Sequence, residues 1–365
     1  MPEVSETTES IGLRWLIGAY ALAMATSLLA CWLIGSYFLS SPNLREFDSV
    51  TNRAVPIAGH QVRMRSEGWA TTVYGQHGFT LKDEGKLQNA NLNVVLWGDS
   101  YVQALQVSED VRMQNVAEKE LREKQVNVVA VADSGLSIAD YYFMLPRYEN
   151  LVPNRAGLNL FFLGSLNDVL PDDASSLFSS VTINDSGEIQ WNEETGERLV
   201  SSAFENRLNS FHPYFFRSLI RQGKKALPLR LYRNQHSKSN VESEQAKSDI
   251  RPYFRRMLTE FRSKSSGQIA FIYAPHVPAI EGGELSRDHD ERDLALAFEE
   301  ICRELNIPFR NLEEDFIESF DANQKFARGF DNTKPGYGHL NEFGHKIAGE
   351  AIAQLIRNSD ALHSN

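Results

Sequence analysis

Hydrophobic residues fall along this chain in three patterns: one long unbroken stretch near the start, a set of short runs, and amphipathic segments between the runs. The stretch 15–39 holds no charged residue. As a helix, about 25 residues reach roughly 37 Å, enough to cross a hydrocarbon core of about 30 Å. Arg14 flanks one end, Pro42 and Arg45 the other, and Trp15, Trp32 and Tyr37 lie near the ends, where aromatic rings suit the interface. The pattern predicts a single-pass transmembrane anchor over 15–39. A cleaved signal peptide would carry a shorter apolar region. Leu28, Leu29, Ala30 and Cys31 loosely resemble a lipoprotein cleavage box, but the chain continues apolar through Trp32, Leu33 and Ile34 rather than into a polar tether. Arg45, Arg53, Arg63 and Arg65 follow the span, yet large domains translocate largely regardless of flanking charge. The expectation is an inner-membrane protein of bacterial type, with the bulk of the chain on the extracytoplasmic side.

Five short apolar runs follow, at 93–96, 126–131, 158–163, 269–274 and 307–312. Each is brief and mostly β-branched or aromatic, as buried parallel strands are. Helical periodicity marks 111–124, 138–148, 290–305 and 342–356, the first opening on Ser108, Glu109 and Asp110. Strand alternating with helix predicts a doubly wound α/β sheet, whose ligands bind beyond the carboxyl ends of the strands. The implied organisation is a polar tail (1–14), the anchor (15–39), a linker leading into the fold (40–90), a domain (91–357) and a short tail (358–365). An insertion at about 169–265 interrupts the domain. It holds a hairpin signal at 181–191, an aromatic cluster at Phe211, Tyr214, Phe215 and Phe216, basic residues from Arg217 to Arg233, and a polar stretch at 234–249. Insertions of this size are usually lids or specificity subdomains.

Composition narrows the function. Of 365 residues, 37 are Lys or Arg and 48 Asp or Glu, a formal charge of -11 that argues against a nucleic-acid binder. Two cysteines exclude a disulfide scaffold or a Cys-rich zinc module. The acidic stretch Asp288, His289, Asp290 and Glu291 reads as a helix start rather than a metal site. No cofactor and no metal are implied.

Candidate chemistry sits just past the strand ends. The first strand runs into Gly98, Asp99 and Ser100, which puts a hydroxyl at the active rim; the plain alternative is a helix cap. The second strand leads to Gly135 and the third to Asn167, a backbone N–H and an amide N–H of the kind an oxyanion needs. His339 lies on the loop after the last strand, within reach of Ser100 as general base. His345, four residues beyond Asn341, competes for that role from a position that reads as surface-facing. Asp99 and His276 are candidate substrate contacts.

Ser100, Gly135, Asn167 and His339, in that order and strand context, make residues 90–357 resemble the SGNH family, also called GDSL-like hydrolases. The resemblance implies a three-layer α/β/α fold of flavodoxin-like type, with Ser100 as nucleophile and His339 as base. It implies an oxyanion hole made by the Ser100 and Gly135 N–H groups and the Asn167 side chain. Two departures stand out. One extra residue separates Gly164 from Asn167. The acid expected three residues before the His is replaced by Gly336, and losing the orienting acid can cost about 10⁴ in rate. Asp331 is close enough along the loop to substitute; otherwise a backbone carbonyl orients His339, or catalysis is lost. The reading is a membrane-anchored serine esterase or O-acyltransferase, held in membrane lipid through 15–39. It would act on an acyl ester, acetyl by analogy, of a surface polysaccharide or lipid, alongside a membrane acyltransferase or polysaccharide assembly. The alternatives are a catalytically inactive glycan-binding or scaffold module, and a lysophospholipase or thioesterase with an acyl groove in the insertion.

Overall fold

A computed structural model of the chain describes residues 7–38, 40–41, 43–80, 85–171, 179–184, 186–202 and 249–359. Helix α1 (Thr7–Phe38) opens it. Within α1, Gly12–Gly35 has a mean hydropathy of 1.9, is long and apolar enough to cross a membrane, and is not covered by the rest of the chain.

The segment expected to be a linker is folded, and this corrects the sequence reading. It forms two antiparallel hairpins, β1 (Arg45–Asp48) with β2 (Arg53–Pro56) and β3 (Gln61–Met64) with β4 (Ala70–Val73). Strands of only four residues, three of them exposing Glu46, Gln61 or Thr71, leave no long apolar run to read. What anchors them is long-range. Arg53 reaches Asp140 at 3.0 Å in a buried ion pair, and Tyr74 is buried with its hydroxyl accepting from Gln103 Nε2 at 2.8 Å. A buried charge left without its partner is costly, so this hairpin pair is fixed to the domain rather than merely tethered.

The five apolar runs are all strands of one parallel sheet. After α2 (Gly85–Asn89) come β5 (Leu92–Gly98), α3 (Ser100–Gln103), α4 (Met113–Glu120), β6 (Val126–Ala132), α5 (Ile138–Tyr148) and β7 (Arg155–Leu163). The hairpin β8 (Ser180–Ile183) and β9 (Ile189–Asn192) follows, where the sequence signal placed it. Then come α6 (Arg251–Arg262), β10 (Gln268–Tyr273), a small hairpin β11 (Ala279–Glu281) and β12 (Glu284–Ser286), and α7 (Arg292–Glu304). The chain closes with β13 (Phe309–Asn311), α8 (Glu313–Asn323) and α9 (Glu342–Arg357). The sheet order is β13-β10-β7-β5-β6, all pairs parallel. This is a doubly wound order whose topological switch lies between β5 and β7.

Both faces of the sheet are buried, which explains why its strands read as continuous apolar runs. Val95, Trp97, Phe161 and Phe271 face α5, α6 and α7, meeting Leu145, Phe254, Phe261 and Phe298. Val94, Leu96, Leu160, Phe162 and Ile272 face α4, α8 and α9, meeting Met113, Phe316, Ala348 and Ile352. Burying each such large side chain stabilises the fold by about 1.5–3 kcal/mol. Polar side chains within the sheet pair with one another: Trp97 Nε1 donates to Asn159 Oδ1 at 2.9 Å, and Asn127 Nδ2 to Asn93 Oδ1 at 2.9 Å.

The insertion is shorter than expected at its far end. Helix α6 buries Phe254, Met257, Leu258 and Phe261 completely and belongs to the outer layer of the sheet. Tyr142 of α5 stacks on Trp191 of β9 with ring centroids 3.9 Å apart. The aromatic cluster at Phe211 to Phe216, the basic residues from Arg217 to Arg233 and the polar stretch as far as residue 248 lie outside the described residues. Cys31 is exposed on α1 and Cys302 buried in α7, and both are free thiols.

Candidate active site

Ser100 begins the short helix α3 directly after β5. Asp99 caps that helix, its carboxylate accepting from Tyr101 N at 2.9 Å. Burial pushes the Asp99 carboxyl up from its ordinary value. Its other oxygen stands 3.5 Å from Ser100 Oγ, at the limit of a useful contact. The structure thus gives Asp99 a capping role.

The Ser100 hydroxyl has a nearer partner. Its Oγ lies 2.8 Å from His339 Nε2. His339 stands on a loop whose two arms are joined by an Arg328–Leu340 bridge and by Gly329 N donating to the His339 carbonyl at 3.1 Å. The loop ends at Asn341, whose side chain caps α9 by accepting from Phe343 N and Gly344 N at 3.0 Å each. These contacts hold the imidazole on the rim beside β5.

The other ring nitrogen meets an acid that sequence reading missed. His339 Nδ1 is 2.6 Å from Glu67 Oε2, and His339 N donates to Glu67 Oε1 at 2.7 Å. Glu67 thus grips both ring and backbone of one residue. Burial alone would raise its carboxyl, but the hydrogen bonds from His339 outweigh that and hold it below the ordinary carboxylate range. Gly338 makes the approach possible. Its φ is +81°, and a Cβ there would fall 2.4 Å from Glu67 Oε1.

Glu67 sits on the turn between β3 and β4, and that turn is held from two sides. Asn332 accepts from Gly68 N at 3.0 Å and donates to the Arg65 and Gly68 carbonyls at 3.2 and 3.3 Å. On the other side, Arg65 N donates to Ser40 Oγ at 2.8 Å and Arg65 Nε to the Tyr37 carbonyl at 3.1 Å. The Arg65 guanidinium stacks on Trp69, which packs against Tyr37 and Phe38 at the end of α1.

Asp331, expected as the substitute acid, is displaced from this role. It is exposed and lines a separate groove with Phe330 and Asn332. The loop turns outward there, so that Asn332 clasps the 65–68 turn and Asp331 faces the groove rather than the imidazole. His345, expected at the surface, is buried in α9, its Nδ1 accepting from Met113 N at 3.3 Å. It therefore does not compete with His339.

Gly135 and Asn167 lie where the sequence put them, on turns after β6 and β7. Gly135 has φ +86° and is exposed. Its turn is braced by Asp133, which accepts from Arg45 Nη2 at 2.6 Å and Gln103 Nε2 at 2.9 Å. Asn167 is exposed, and its Nδ2 donates to Glu291 Oε1 at 3.0 Å.

Two further residues join the rim without a sequence signal. The Tyr101 ring packs on His339 with centroids 5.1 Å apart, and its hydroxyl lies 3.0 Å from His276 Nε2. Buried Arg328 donates to the Tyr101 hydroxyl at 2.6 Å, the Gly338 carbonyl at 3.0 Å and the Pro275 carbonyl at 3.3 Å. Surrounding protein and then the Arg328 charge hold His276 below the ordinary imidazole range. His276 and Asn167 open onto a cleft of about 710 Å³ whose wall includes Tyr273, Tyr337, Glu281 and Glu291. Among the described residues no group of three or more His, Cys, Asp or Glu side chains is placed to hold a metal ion.

Comparison with known proteins gives distant likenesses in structure. No family model matches the chain, and no curated protein matches it. Among solved structures, a lipolytic protein of the G-D-S-L family from Veillonella parvula DSM 2008 overlaps at 13% identity and a TM-score of 0.33, covering 73% of this chain and 100% of that one. An aryl esterase from M. smegmatis overlaps at 13% identity and a TM-score of 0.34, covering 73% and 98%. An acetyl xylan esterase overlaps at 11% identity and a TM-score of 0.37, covering 72% and 99%. With TM-scores this low, these likenesses carry no weight for activity or substrate.

Proposed function

We propose that the protein is a serine esterase or O-acyltransferase of SGNH type, working through Ser100, His339 and Glu67. One observation carries the reading: the unbroken line from Ser100 Oγ to His339 Nε2 at 2.8 Å and from His339 Nδ1 to Glu67 Oε2 at 2.6 Å. Nucleophile, base and orienting acid are the parts acyl transfer needs. Glu67 also removes the reason for reading the chain as an inactive module, since the acid missing from position 336 is supplied from elsewhere.

In this mechanism Ser100 Oγ attacks the acyl carbonyl while its proton passes to His339 Nε2. Glu67 holds the Nδ1–H and stabilises the imidazolium. The Ser100 and Gly135 N–H groups and Asn167 Nδ2 bind the oxyanion, a contribution worth roughly 10²–10³ in rate per donor. The ester C–O bond breaks, His339 returns its proton to the leaving alkoxide, and acyl-Ser100 remains. Water or a sugar hydroxyl then attacks, giving its proton to His339, and Ser100 leaves with that proton restored. Water makes the protein an esterase; a hydroxyl acceptor makes it an O-acyltransferase.

The proposed substrate is an acyl ester, acetyl in the simplest case, of a surface polysaccharide or a lipid. The polar cleft beside Asn167 suits a hydroxylated leaving group or acceptor. Anchoring through α1, with the domain outside the bacterial inner membrane and beside a membrane acyltransferase or polysaccharide assembly, completes the proposal. The exposed apolar span supports the anchor, and the Arg65, Trp69, Tyr37 and Phe38 contacts would set the Glu67 turn at the lipid–water boundary. The test is turnover of 4-nitrophenyl acetate and acetylated glycans by the full chain in detergent. Wild type should turn over, and Ser100→Ala and His339→Ala should lose turnover while staying folded. A folded wild type that cleaves no ester and transfers no acyl group would sink the proposal.

A further inference from the structure

Glu291 is the last residue before α7, and nothing in the mechanism above uses it. Its carboxylate accepts four hydrogen bonds, three of them from the turn that carries Asn167. Oε1 accepts from Ser165 Oγ and from Asn167 Nδ2 at 3.0 Å; Oε2 accepts from Leu166 N at 3.1 Å and from Tyr273 Oη at 2.7 Å. Tyr273 stays a donor, because burial and then the Glu291 charge push its phenol far up.

A side-chain amide has a donor end and an acceptor end of nearly the same shape. A carboxylate accepts only, so it fixes which end of Asn167 faces it. The nitrogen is turned to Glu291, and one of its two hydrogens is left for the rim. Free to rotate, the amide would as readily present Oδ1, an acceptor, to a developing oxyanion and repel it. We infer that Glu291 is a positioning residue for the oxyanion hole, setting the flip and direction of the Asn167 amide from a helix start 124 residues away in sequence. This inference rests on the proposed role of Ser100 and Asn167. It predicts an effect on the transition state rather than on substrate binding, because the amide is needed only where negative charge develops.

The experiment is a double-mutant cycle on the full chain with 4-nitrophenyl acetate, using Glu291→Gln, Asn167→Ala and the pair, with Tm and circular dichroism recorded for each. Gln keeps the shape but offers one acceptor where the site needs two. Asn167→Ala should lower kcat by roughly 10²-fold. Glu291→Gln should lower kcat by roughly 10-fold with KM within about 2-fold, and should cost less than about 2-fold when Asn167 is already Ala. Tyr273→Phe, which keeps the carboxylate and removes one of its holders, should show a smaller kcat loss that also vanishes with Asn167→Ala. It serves as the reading if Glu291→Gln does not fold. Equal losses in both backgrounds, a loss confined to KM, or no loss would overturn the inference while leaving the Ser100 mechanism intact. A folded wild type without turnover would overturn that mechanism and this inference together.

Discussion

The site has two halves, and they were built differently. Ser100, Gly135, Asn167 and His339 each stand on a turn next to a strand or helix they belong to. Glu67 stands on a hairpin tip outside the sheet and reaches His339 across 272 residues of sequence. The first half is placed by local geometry, a strand that ends and a turn that exposes a group. The second is placed by docking, through Asn332 on one side and the end of α1 on the other. The rim half should therefore respond to changes at its own turns, and the acid half to changes at contacts that never touch the reacting atoms.

The sharpest way to break the acid half without touching its carboxylate is Gly338→Ala. The added Cβ meets Glu67 Oε1 and strains a left-handed backbone. Its displacement of the acid by about 1 Å should lower kcat roughly 10–100-fold, with an unfolding cost of about 1–2 kcal/mol seen in urea titration. Next is Asn332→Ala, which removes the three hydrogen bonds that clasp the 65–68 turn. An exposed clasp contributes less, and a drop in kcat of roughly 3–10-fold is expected, with KM steady. Asp331→Asn, one residue away, should leave kcat/KM within about 2-fold, since Asp331 faces the separate groove.

A pH measurement separates His345 from His339. Burial, then the charges of Arg112 and His339, push the His345 imidazole down to about 3. The unfolded chain takes up that proton near 6.5, whereas the native state resists it until near 3. Between those values the native state holds fewer protons, so stability rises with pH and falls on acidification, by at most about 1.4 kcal/mol per pH unit. His345→Gln should flatten that slope in urea titrations between pH 6.5 and 4 and leave ester turnover near neutral pH unchanged.

The same division governed what the sequence could tell. The sheet was legible because strands buried on both faces, such as 126–131, leave unbroken β-branched runs. The rim residues were legible only together: each of Ser100, Gly135 and Asn167 has an ordinary capping or turn reading alone, but their order after successive apolar runs, with His339 following, set them on one rim. Helix α6 was missed despite its apolar face because a long insertion seemed to continue through it. Glu67 was illegible in principle: Arg65, Ser66, Glu67 and Gly68 look like any polar hairpin tip, and their place at the site exists only once Asn332 and Tyr37 are brought to them. The one available clue was negative. Gly336 stands where an acid was expected, which left Asp331 on the same loop, a backbone carbonyl or lost catalysis as readings; nothing along the chain pointed to Glu67, 272 residues from His339. His345 misled for a related reason, since a His near a helix start gives no sign of which face it occupies.

The most direct test of the claim that Glu67 completes the site is the rate at which a fluorophosphonate labels Ser100 in the full chain. Wild type, Glu67→Gln and Asp331→Asn should be compared at neutral pH, with the label located by peptide mass spectrometry. The account predicts that wild type and Asp331→Asn label Ser100 at the same rate and that Glu67→Gln, folded and with an unchanged Tm to within a few degrees, labels it at least about 10²-fold more slowly. Labelling of Glu67→Gln at the wild-type rate, or loss of labelling in Asp331→Asn instead, would contradict it.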